Sequence, residues 1–134
     1  MSSRNWLEEL GWTQENLEDL RYTGYSYIRQ GKYEIAKPFF EALSVLVPNE
    51  IYDIQTLGAI YLELKEPEKA MKYFDQALKL DQTDGPTLLN LSKALFMLKR
   101  KDEALKVCRI LAKNEDKILS NIAKALLLAY GPAL

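Results

Sequence analysis

Apolar side chains recur every three or four residues through most of this chain, with polar and charged residues between them. This spacing predicts amphipathic helices, and no stretch shows the sustained alternation that is typical of a strand. Glycine and proline interrupt the pattern where helices should end. The pattern predicts helices over residues 14–29, 33–46, 51–64, 67–80, 86–98, 101–113 and 116–129.

Several residues mark the predicted helix starts. Thr13 is a good N-cap for the first helix, because its hydroxyl can accept a bond from an unpaired N–H of the first turn. Pro67 and Pro86 begin later helices, where the missing N–H of proline costs nothing. Pro38 falls inside the second predicted helix, so we expect a local kink there.

A second regularity has a period of 34 residues. The positions that match across three copies are Gly24, Gly58 and Ser92; Tyr27, Tyr61 and Leu95; Ala36, Ala70 and Ala104; and Phe40, Phe74 and Cys108. A repeat of this length and pattern resembles the tetratricopeptide repeat, a stack of helical hairpins. The resemblance implies an all-α solenoid that forms one domain and offers a concave binding surface.

The predicted domain has three repeats, at 17–50, 51–84 and 85–118, after a short N-terminal segment at 1–13. The small repeated residues should lie where two helices cross closely, and the large ones should fill the gap between hairpins. Each large side chain then contributes about 1.5–3 kcal/mol by burial. Residues 116–130 should form a capping helix, with Ile118, Ile122, Ala125, Leu126 and Ala129 on its packed face.

Composition narrows the function further. The 134 residues carry 18 basic and 19 acidic side chains, so no global field favours nucleic acid or an anionic membrane. The longest apolar stretch, near the C-terminal end, is too short to span a bilayer. The first residues lack the apolar core of a signal peptide, and a cytoplasmic protein without membrane insertion is expected.

Residues that could support catalysis are scarce. The chain has no histidine, which excludes the usual catalytic triads and imidazole metal sites. Cys108 falls at a core position of its repeat, where an inert buried thiol is expected rather than a nucleophile. The paired carboxylates stand at helix starts, where they suit the helix dipole. We therefore expect no enzyme, no cofactor and no metal site.

The concave surface is the better candidate site. In tetratricopeptide domains the first helix of each repeat lines this surface, and equivalent positions of each repeat face inward. The candidates for a peptide-binding groove are Arg21, Tyr25, Ile28, Arg29, Tyr52, Gln55, Ala59, Leu62, Glu63, Leu89, Asn90, Lys93, Phe96 and Met97. This mostly apolar and aromatic set, with isolated polar groups, suits an extended peptide with apolar anchors.

One familiar tetratricopeptide ligand can be tested from the sequence. Domains that clamp the C-terminal carboxylate of heat-shock chaperones use lysine and asparagine in the first repeat, asparagine in the second and basic residues in the third. Those places hold Arg21, Tyr25, Thr56, Pro86 and Asn90 here. The carboxylate clamp is therefore not formed.

A more specific resemblance rests on the stretch from Gly31 to Ala36, its continuation through Leu46, and the later Ile60–Glu66. These residues are similar to the class II chaperones of bacterial type III secretion, which guard hydrophobic translocator proteins. The likeness covers roughly residues 14–115. The chaperones of the needle subunit use the same repeats and remain a sister alternative.

This resemblance implies a mechanism that composition does not show. Such a chaperone holds an export substrate before secretion, with a short extended segment of the substrate along the groove. Apolar pockets would take its side chains, while Gln55, Asn90 and Lys93 would bond its backbone. We expect alanine at Tyr25 and Leu62 to abolish substrate capture without changing the melting temperature.

Two alternatives stay open at this point. Trp6, Leu7, Leu10 and Trp12 either fold back as an N-terminal cap or pack on a second copy in a homodimer, as the resemblance implies. The competing class of function is a general tetratricopeptide scaffold that binds folded partners in a larger assembly.

Overall fold

The helical prediction is confirmed. A computed structural model of the protein describes residues 5–132, and every regular element in this range is an α-helix. The helices are α1 (Trp6–Leu10), α2 (Gln14–Arg29), α3 (Tyr33–Leu46), α4 (Ile51–Glu63), α5 (Pro67–Leu80), α6 (Gly85–Met97), α7 (Lys101–Leu111) and α8 (Lys117–Tyr130). The last seven match the predicted ranges to within two residues. Only α1 lies outside the prediction, because five residues are too few to establish a helical period.

The helices stack as three hairpins followed by α8. Within the hairpins α2 packs on α3, α4 on α5, and α6 on α7. Each hairpin then packs on the next through α3 and α4, and through α5 and α6, while α8 closes the stack against α7. In addition, α4 contacts α6 and α6 contacts α8, so the even-numbered helices follow one another along one side. This side is the concave surface that the repeat predicts.

The repeated positions form the core. Phe40 and Phe74 are fully buried, as are the three repeated alanines at 36, 70 and 104. Gly58 faces the ring of Phe74 so closely that a Cβ atom there would lie 2.5 Å from Phe74 Cε1. In the third repeat Ser92 takes this place, and its hydroxyl donates to the carbonyl of Leu89 at 2.6 Å. The small residues are thus required where helices cross, as the sequence predicts.

Side-chain caps fix the starts of α2, α6 and α8. The backbone N–H of Thr13 donates to Asn16 Oδ1 at 2.8 Å, and the Asn16 N–H donates to Thr13 Oγ1 at 3.4 Å. This reciprocal pair caps α2 and confirms Thr13 as its N-cap. Asp84 caps α6 by accepting from the Thr87 N–H at 3.1 Å, and Asp116 caps α8 by accepting from Ile118 at 2.9 Å. These caps place the groove-lining helices at defined starts.

The turns inside the three hairpins share one backbone conformation. Gly31, Lys65 and Lys99 occupy equivalent repeat positions, and their φ angles are 73°, 63° and 60°. Glycine adopts this left-handed region without strain, whereas a residue with a Cβ atom loses roughly 1–2 kcal/mol there. The second and third repeats therefore carry strain that the first one avoids.

Replacing Lys99 with glycine should relieve this strain. We expect Lys99→Gly to raise the free energy of unfolding by about 1 kcal/mol, since the gain exceeds the entropy that glycine adds to the unfolded chain. The matched control is Lys106→Gly, inside α7 and also exposed, which should lower stability by about 1 kcal/mol. Urea unfolding followed by circular dichroism measures both, and equal losses for the two variants would contradict the strain argument.

Helix α3 continues through Pro38, which lies in the middle of the helix with its side chain exposed to solvent. Proline removes one hydrogen bond of the helix and crowds the preceding turn. The kink expected from the sequence remains a prediction.

Pro38→Ala should restore the missing hydrogen bond. We expect the free energy of unfolding to rise by about 2 kcal/mol, because the helix gain exceeds the loss of proline's rigidity in the unfolded chain. Thermal and urea unfolding measure this change. A loss of stability would instead show that proline at this position is required for packing.

The packed face of α8 differs from the prediction. Ser120 and Ala123 are buried, and Leu119 and Leu127 pack on the core formed by Leu88, Cys108 and Leu111. Ile118, by contrast, is 72% exposed and Ile122 is 37% exposed. Of the expected face, Leu126 does pack on this core, but Ile118, Ile122, Ala125 and Ala129 are exposed. The prediction was wrong for these four residues, because the core contacts of α8 are rotated around the helix towards Leu119 and Ala123. The helix does close the stack, but it leaves apolar side chains on the concave side.

The N-terminal segment is partly folded back on the repeats. Leu7 and Trp12 pack against the core of the first two repeats, and α1 contacts α3. Trp6 is half-buried, and Leu10 remains 50% exposed. Asn5 and Gly11 cap the two ends of α1. Leu7 and Trp12 therefore act as an N-terminal cap. The homodimer remains a prediction, in which the exposed Leu10 would contact the second copy.

Candidate functional site

A groove of about 460 Å³ runs along the concave side of the stack. Its walls come from α2, α4 and α6, with further residues from the start of α3 and from the turn after α4. The lining residues are Tyr25, Ile28, Tyr33, Tyr52, Gln55, Thr56, Ala59, Ile60, Leu62, Glu63, Lys65, Pro86, Asn90, Lys93 and Met97. A cavity of this size and mixed lining is typical of binding sites for small molecules or short peptide segments.

Most groove candidates from the sequence meet in this cavity. Those that line it are Tyr25, Ile28, Tyr52, Gln55, Ala59, Leu62, Glu63, Asn90, Lys93 and Met97. Four candidates do not line it: Arg21, Arg29, Leu89 and Phe96. That the ten lining residues contact a bound peptide stays a prediction. The other four do not line this cavity.

The aromatic wall of the groove is open to solvent. Tyr25 on α2 is 43% exposed and Tyr52 on α4 is 41% exposed. Burial of its phenol raises the pKa of Tyr52, and the neighbouring Tyr25 raises it further. The Tyr52 hydroxyl is therefore a neutral donor and acceptor at neutral pH. Both rings present aromatic faces that can pack on apolar side chains.

Carboxamides form part of the groove floor. Asn90 Nδ2 on α6 donates to Gln55 Oε1 on α4 at 3.4 Å, and Gln55 Nε2 donates to Thr56 Oγ1 at 3.5 Å. Both bonds are long, and each amide keeps further donor or acceptor capacity. Such groups can bond the backbone of an extended segment without selecting its side chains.

The charges on the groove are mixed in sign. Glu63, Lys65 and Lys93 line it and are exposed. No single sign dominates, so the apolar and aromatic walls rather than charge should determine which segment binds. This balance fits the absence of a carboxylate clamp in the sequence.

Arg21 does not face the groove, contrary to the sequence prediction. Its Nε and Nη2 atoms donate to Asp53 Oδ1 and Oδ2, each at 2.7 Å. The Asp53 side chain is fully buried, whereas 23% of the Arg21 side chain is exposed. The hydrogen bond to Asp53 raises the pKa of the Arg21 guanidinium. This bidentate pair joins α2 to α4 and is a structural tie between the first two repeats.

Leu62 lines the groove but also belongs to the core. It is only 7% exposed and packs with Leu57, Ile60 and Phe74 in the main apolar cluster. This burial argues against the expectation that alanine at Tyr25 and Leu62 leaves the melting temperature unchanged, because removing buried methyl groups from a core costs about 2–5 kcal/mol. Tyr25 and Tyr52 are the better positions at which to test the groove.

Leu89 and Phe96 line a second cavity, between α6 and α8. We call it the α6–α8 cleft; it is lined by Leu89, Lys93, Phe96, Met97, Ile122, Leu126 and Tyr130. The ring centroids of Phe96 and Tyr130, which both line the cleft, lie 5.2 Å apart. Arg29, the remaining candidate, is exposed at the end of α2 and lines neither cavity.

The sequence reasoning missed five residues that line the groove: Tyr33, Thr56, Ile60, Lys65 and Pro86. Tyr33 begins α3, and Lys65 lies in the turn after α4. A rule that admits only the inward positions of the first helix in each repeat excludes both. For Lys65 alone the sequence holds a signal, because it aligns with Gly31 in the 34-residue repeat and so marks the turn of the second hairpin.

Other chemistry is limited in the part of the chain that the structure describes. Over residues 5–132 no group of three or more Cys, Asp or Glu side chains is placed to hold a metal ion. Cys108 is buried, and burial raises the pKa of its thiol, although a hydrogen bond with Ser92 lowers it. None of the described helices is both long and apolar enough to cross a bilayer.

Comparisons with known proteins agree with this architecture. The family model described as tetratricopeptide repeat matches residues 56–84. The translocator chaperone SycD of Yersinia enterocolitica superposes with a TM-score of 0.83 over 96% of this chain and 99% of its own, at 20% identity. The end-to-end match is what decides the architecture. The protein has the fold of a type III secretion translocator chaperone.

Two further structures share this translocator-chaperone fold. PcrH in complex with the chaperone binding region of PopB superposes at a TM-score of 0.79, with 22% identity, over 87% of this chain and 98% of PcrH. The first tetratricopeptide domain of Spaghetti, or RPAP3, bound to an HSP90 peptide superposes at 0.74 with 20% identity, over 90% of this chain and 97% of its own. The resemblance stated from the sequence is thus confirmed for the fold.

Curated relatives match through sequence over part of the chain. Subunit 6 of the anaphase-promoting complex of Arabidopsis thaliana is 29% identical over an alignment of 89 residues, with coverage of 63% of this chain and 16% of that protein. Subunit 3 of the same complex in Schizosaccharomyces pombe is 30% identical over 82 residues, 61% of this chain and 12% of that protein. The chain therefore spans a small fraction of their length.

Proposed function

We propose that this protein is a non-enzymatic chaperone of bacterial type III secretion. It binds an extended segment of a hydrophobic export substrate in the concave groove and keeps that substrate soluble in the cytoplasm before secretion. The carrying observation is the open groove with aromatic walls and a carboxamide floor. Support comes from PcrH, which has this fold over nearly its whole length and is described in complex with the chaperone binding region of PopB.

The groove favours an extended segment over a folded partner. Alternate side chains of an extended chain point to opposite sides, so one set can enter the apolar walls while the backbone faces the amides. Gln55 and Asn90 supply those amides on neighbouring helices. Covering an apolar stretch of the substrate reduces the exposed apolar area through which the substrate would otherwise aggregate or enter a membrane.

The partner in this proposal is a translocator, with the needle subunit as the sister alternative. No cofactor or metal has a role in it, and binding alone performs the function. Purification from the native host with the partner identified by mass should return one protein with long apolar segments, and co-expression should keep that protein soluble. A set of stable, folded partners that need no help to remain soluble would contradict the proposal.

A general scaffold is the second candidate function. It is favoured by the sequence matches to two subunits of the anaphase-promoting complex. A scaffold should bind a folded partner with unchanged affinity after that partner is stabilised, whereas a chaperone should lose affinity when its cargo is folded. Calorimetric titration of the identified partner in folded and unfolded form separates the two functions.

We also propose that the protein forms a homodimer through the exposed part of the N-terminal segment. Leu10 supports this, because a leucine that is 50% exposed beside the tryptophans gives an apolar contact point. Light scattering should give twice the monomer mass for the full chain and a lower mass for Leu10→Ser. A monomeric full chain at micromolar concentration removes the dimer from the proposal without affecting the groove.

A further inference from the structure

Helix α8 leaves an apolar strip open instead of burying it. Ile122 is 37% exposed and Tyr130 is 51% exposed, and both line the α6–α8 cleft. A helix whose only role is to close a solenoid should present a polar outer face. Within residues 5–132 no part of the folded chain covers this strip, so it is accessible to another molecule.

The α6–α8 cleft is continuous with the groove. Lys93 and Met97 line both cavities, so the wall of one passes directly into the wall of the other. The cleft is more apolar than the groove, since Lys93 at the junction is its one charged lining residue. An extended segment lying in the groove would reach this cleft if it continued past α6.

We propose that the α6–α8 cleft is a second anchor subsite for the same extended cargo segment, and that it accepts one bulky apolar side chain. This inference rests on the proposed function and adds a requirement on the cargo. The segment must carry two apolar anchors, one for the aromatic wall at Tyr25 and Tyr52 and one for the cleft at Ile122.

The geometry sets the spacing of the two anchors. The first subsite lies between α2 and α4 and the second between α6 and α8, two helix spacings or roughly 16–20 Å apart. An extended chain rises about 3.3 Å per residue, so the anchors should be about five to six residues apart. Side chains on the same face of an extended chain are separated by an even number of residues, which favours six.

Synthetic peptides test this requirement directly. Fluorescein-labelled peptides of about 14 residues, built from alanine, serine and proline, would carry one leucine or two leucines about six residues apart. Fluorescence anisotropy measures their affinity for the full chain. We expect the two-leucine peptide to bind roughly tenfold more tightly, since a second leucine is buried.

The α8 face offers a matched pair of variants. Ile122→Ser should lower the affinity for the two-leucine peptide to that for the one-leucine peptide. Ile118→Ser, one turn earlier on α8 and outside both cavities, should leave both affinities unchanged. Tyr130→Ser gives a second variant at the cleft and should act like Ile122→Ser, while circular dichroism checks that each variant is folded.

The outcomes separate this inference from the proposed function. If Tyr25→Ser weakens peptide binding but Ile122→Ser does not, the subsite is wrong and the groove stands. If neither peptide binds the folded protein, both are overturned. If Ile122→Ser instead halves the mass measured by light scattering and leaves peptide affinity unchanged, the cleft holds a second copy of the chain and not cargo.

Discussion

Replacing Arg21 with methionine should lower the free energy of unfolding by about 3 kcal/mol. The reason is that Asp53, whose side chain is fully buried, then loses both hydrogen bonds to the guanidinium and has no charged partner. Uncompensated buried charge costs about 3–5 kcal/mol, and the lower end applies because a cavity beside Arg21 can admit water. Urea unfolding followed by circular dichroism at neutral pH measures the loss.

The partner variant is the matched control. Asp53→Asn removes the buried charge and leaves Arg21 with 23% of its side chain already in contact with solvent. We expect this variant to lose only about 1–2 kcal/mol, because a partly exposed guanidinium is easily rehydrated. Joint replacement by methionine and leucine should recover most of the stability, as apolar substitutes for a buried pair commonly do.

Two results would contradict this account of the pair. One is an equal loss for Arg21→Met and Asp53→Asn, which would mean that neither charge is buried in solution. The other is a strong dependence of the losses on salt concentration, since ions screen exposed pairs far more than buried ones. The exposed pair of Arg100 and Glu103 supplies the reference for a salt-sensitive contact.

Serine at both Tyr25 and Tyr52 should abolish cargo capture, with a loss of affinity of at least about a hundredfold. Both rings line the groove and are more than two-fifths exposed, so their removal takes apolar contact area from the cargo and little from the core. The free energy of unfolding should change by less than about 1 kcal/mol. Calorimetric titration with the identified cargo gives the affinity, and circular dichroism gives the stability.

Tyr22→Ser is the control for the groove variant. Tyr22 lies on the same helix as Tyr25, is 70% exposed and lines neither the groove nor the α6–α8 cleft. Its replacement removes the same chemical group without touching the proposed site, and affinity should stay within about twofold. If Tyr22→Ser reduces capture as much as the double variant does, the cargo lies elsewhere on the surface.

The sequence predicts the fold closely because several helices have clear start signals and the turns between them recur with the repeat. Thr13, Pro67 and Pro86 mark starts, and the residue at each hairpin turn follows the 34-residue period. Repeat position also fixes the direction of a side chain on its helix. That is why ten groove candidates meet in one cavity although they come from three separate repeats.

The failures have equally physical causes. Asp53 lies in the first turn of α4, next to the buried Ile54, and nothing in the local sequence shows that it pairs with a residue 32 positions earlier. Tyr33 and Lys65 enter the groove from a helix start and a turn, which no helical period describes. The face of α8 was misjudged because Ile118 and Ile122 look like core residues, yet both are exposed.

Leu62 belongs both to the groove and to the core that supports it. Its side chain lines the groove and packs in the core at once, so no substitution there reports on binding alone. Tyr25, Tyr52 and Met97 line the groove and are exposed, so we expect their replacement to change the free energy of unfolding only slightly. The function proposed here depends on those residues, which the 34-residue repeat does not specify.

Photo-crosslinking from inside and outside the groove tests the central claim most directly. A benzophenone side chain at Met97, which lines the groove, should crosslink to one short contiguous stretch of the cargo, identified by mass spectrometry. The same group at Ile110, which is 56% exposed on α7 and lines neither the groove nor the α6–α8 cleft, should yield little product. Efficient crosslinking from Ile110 with none from Met97, or products scattered over a folded partner, would contradict a chaperone that holds an extended segment in its groove.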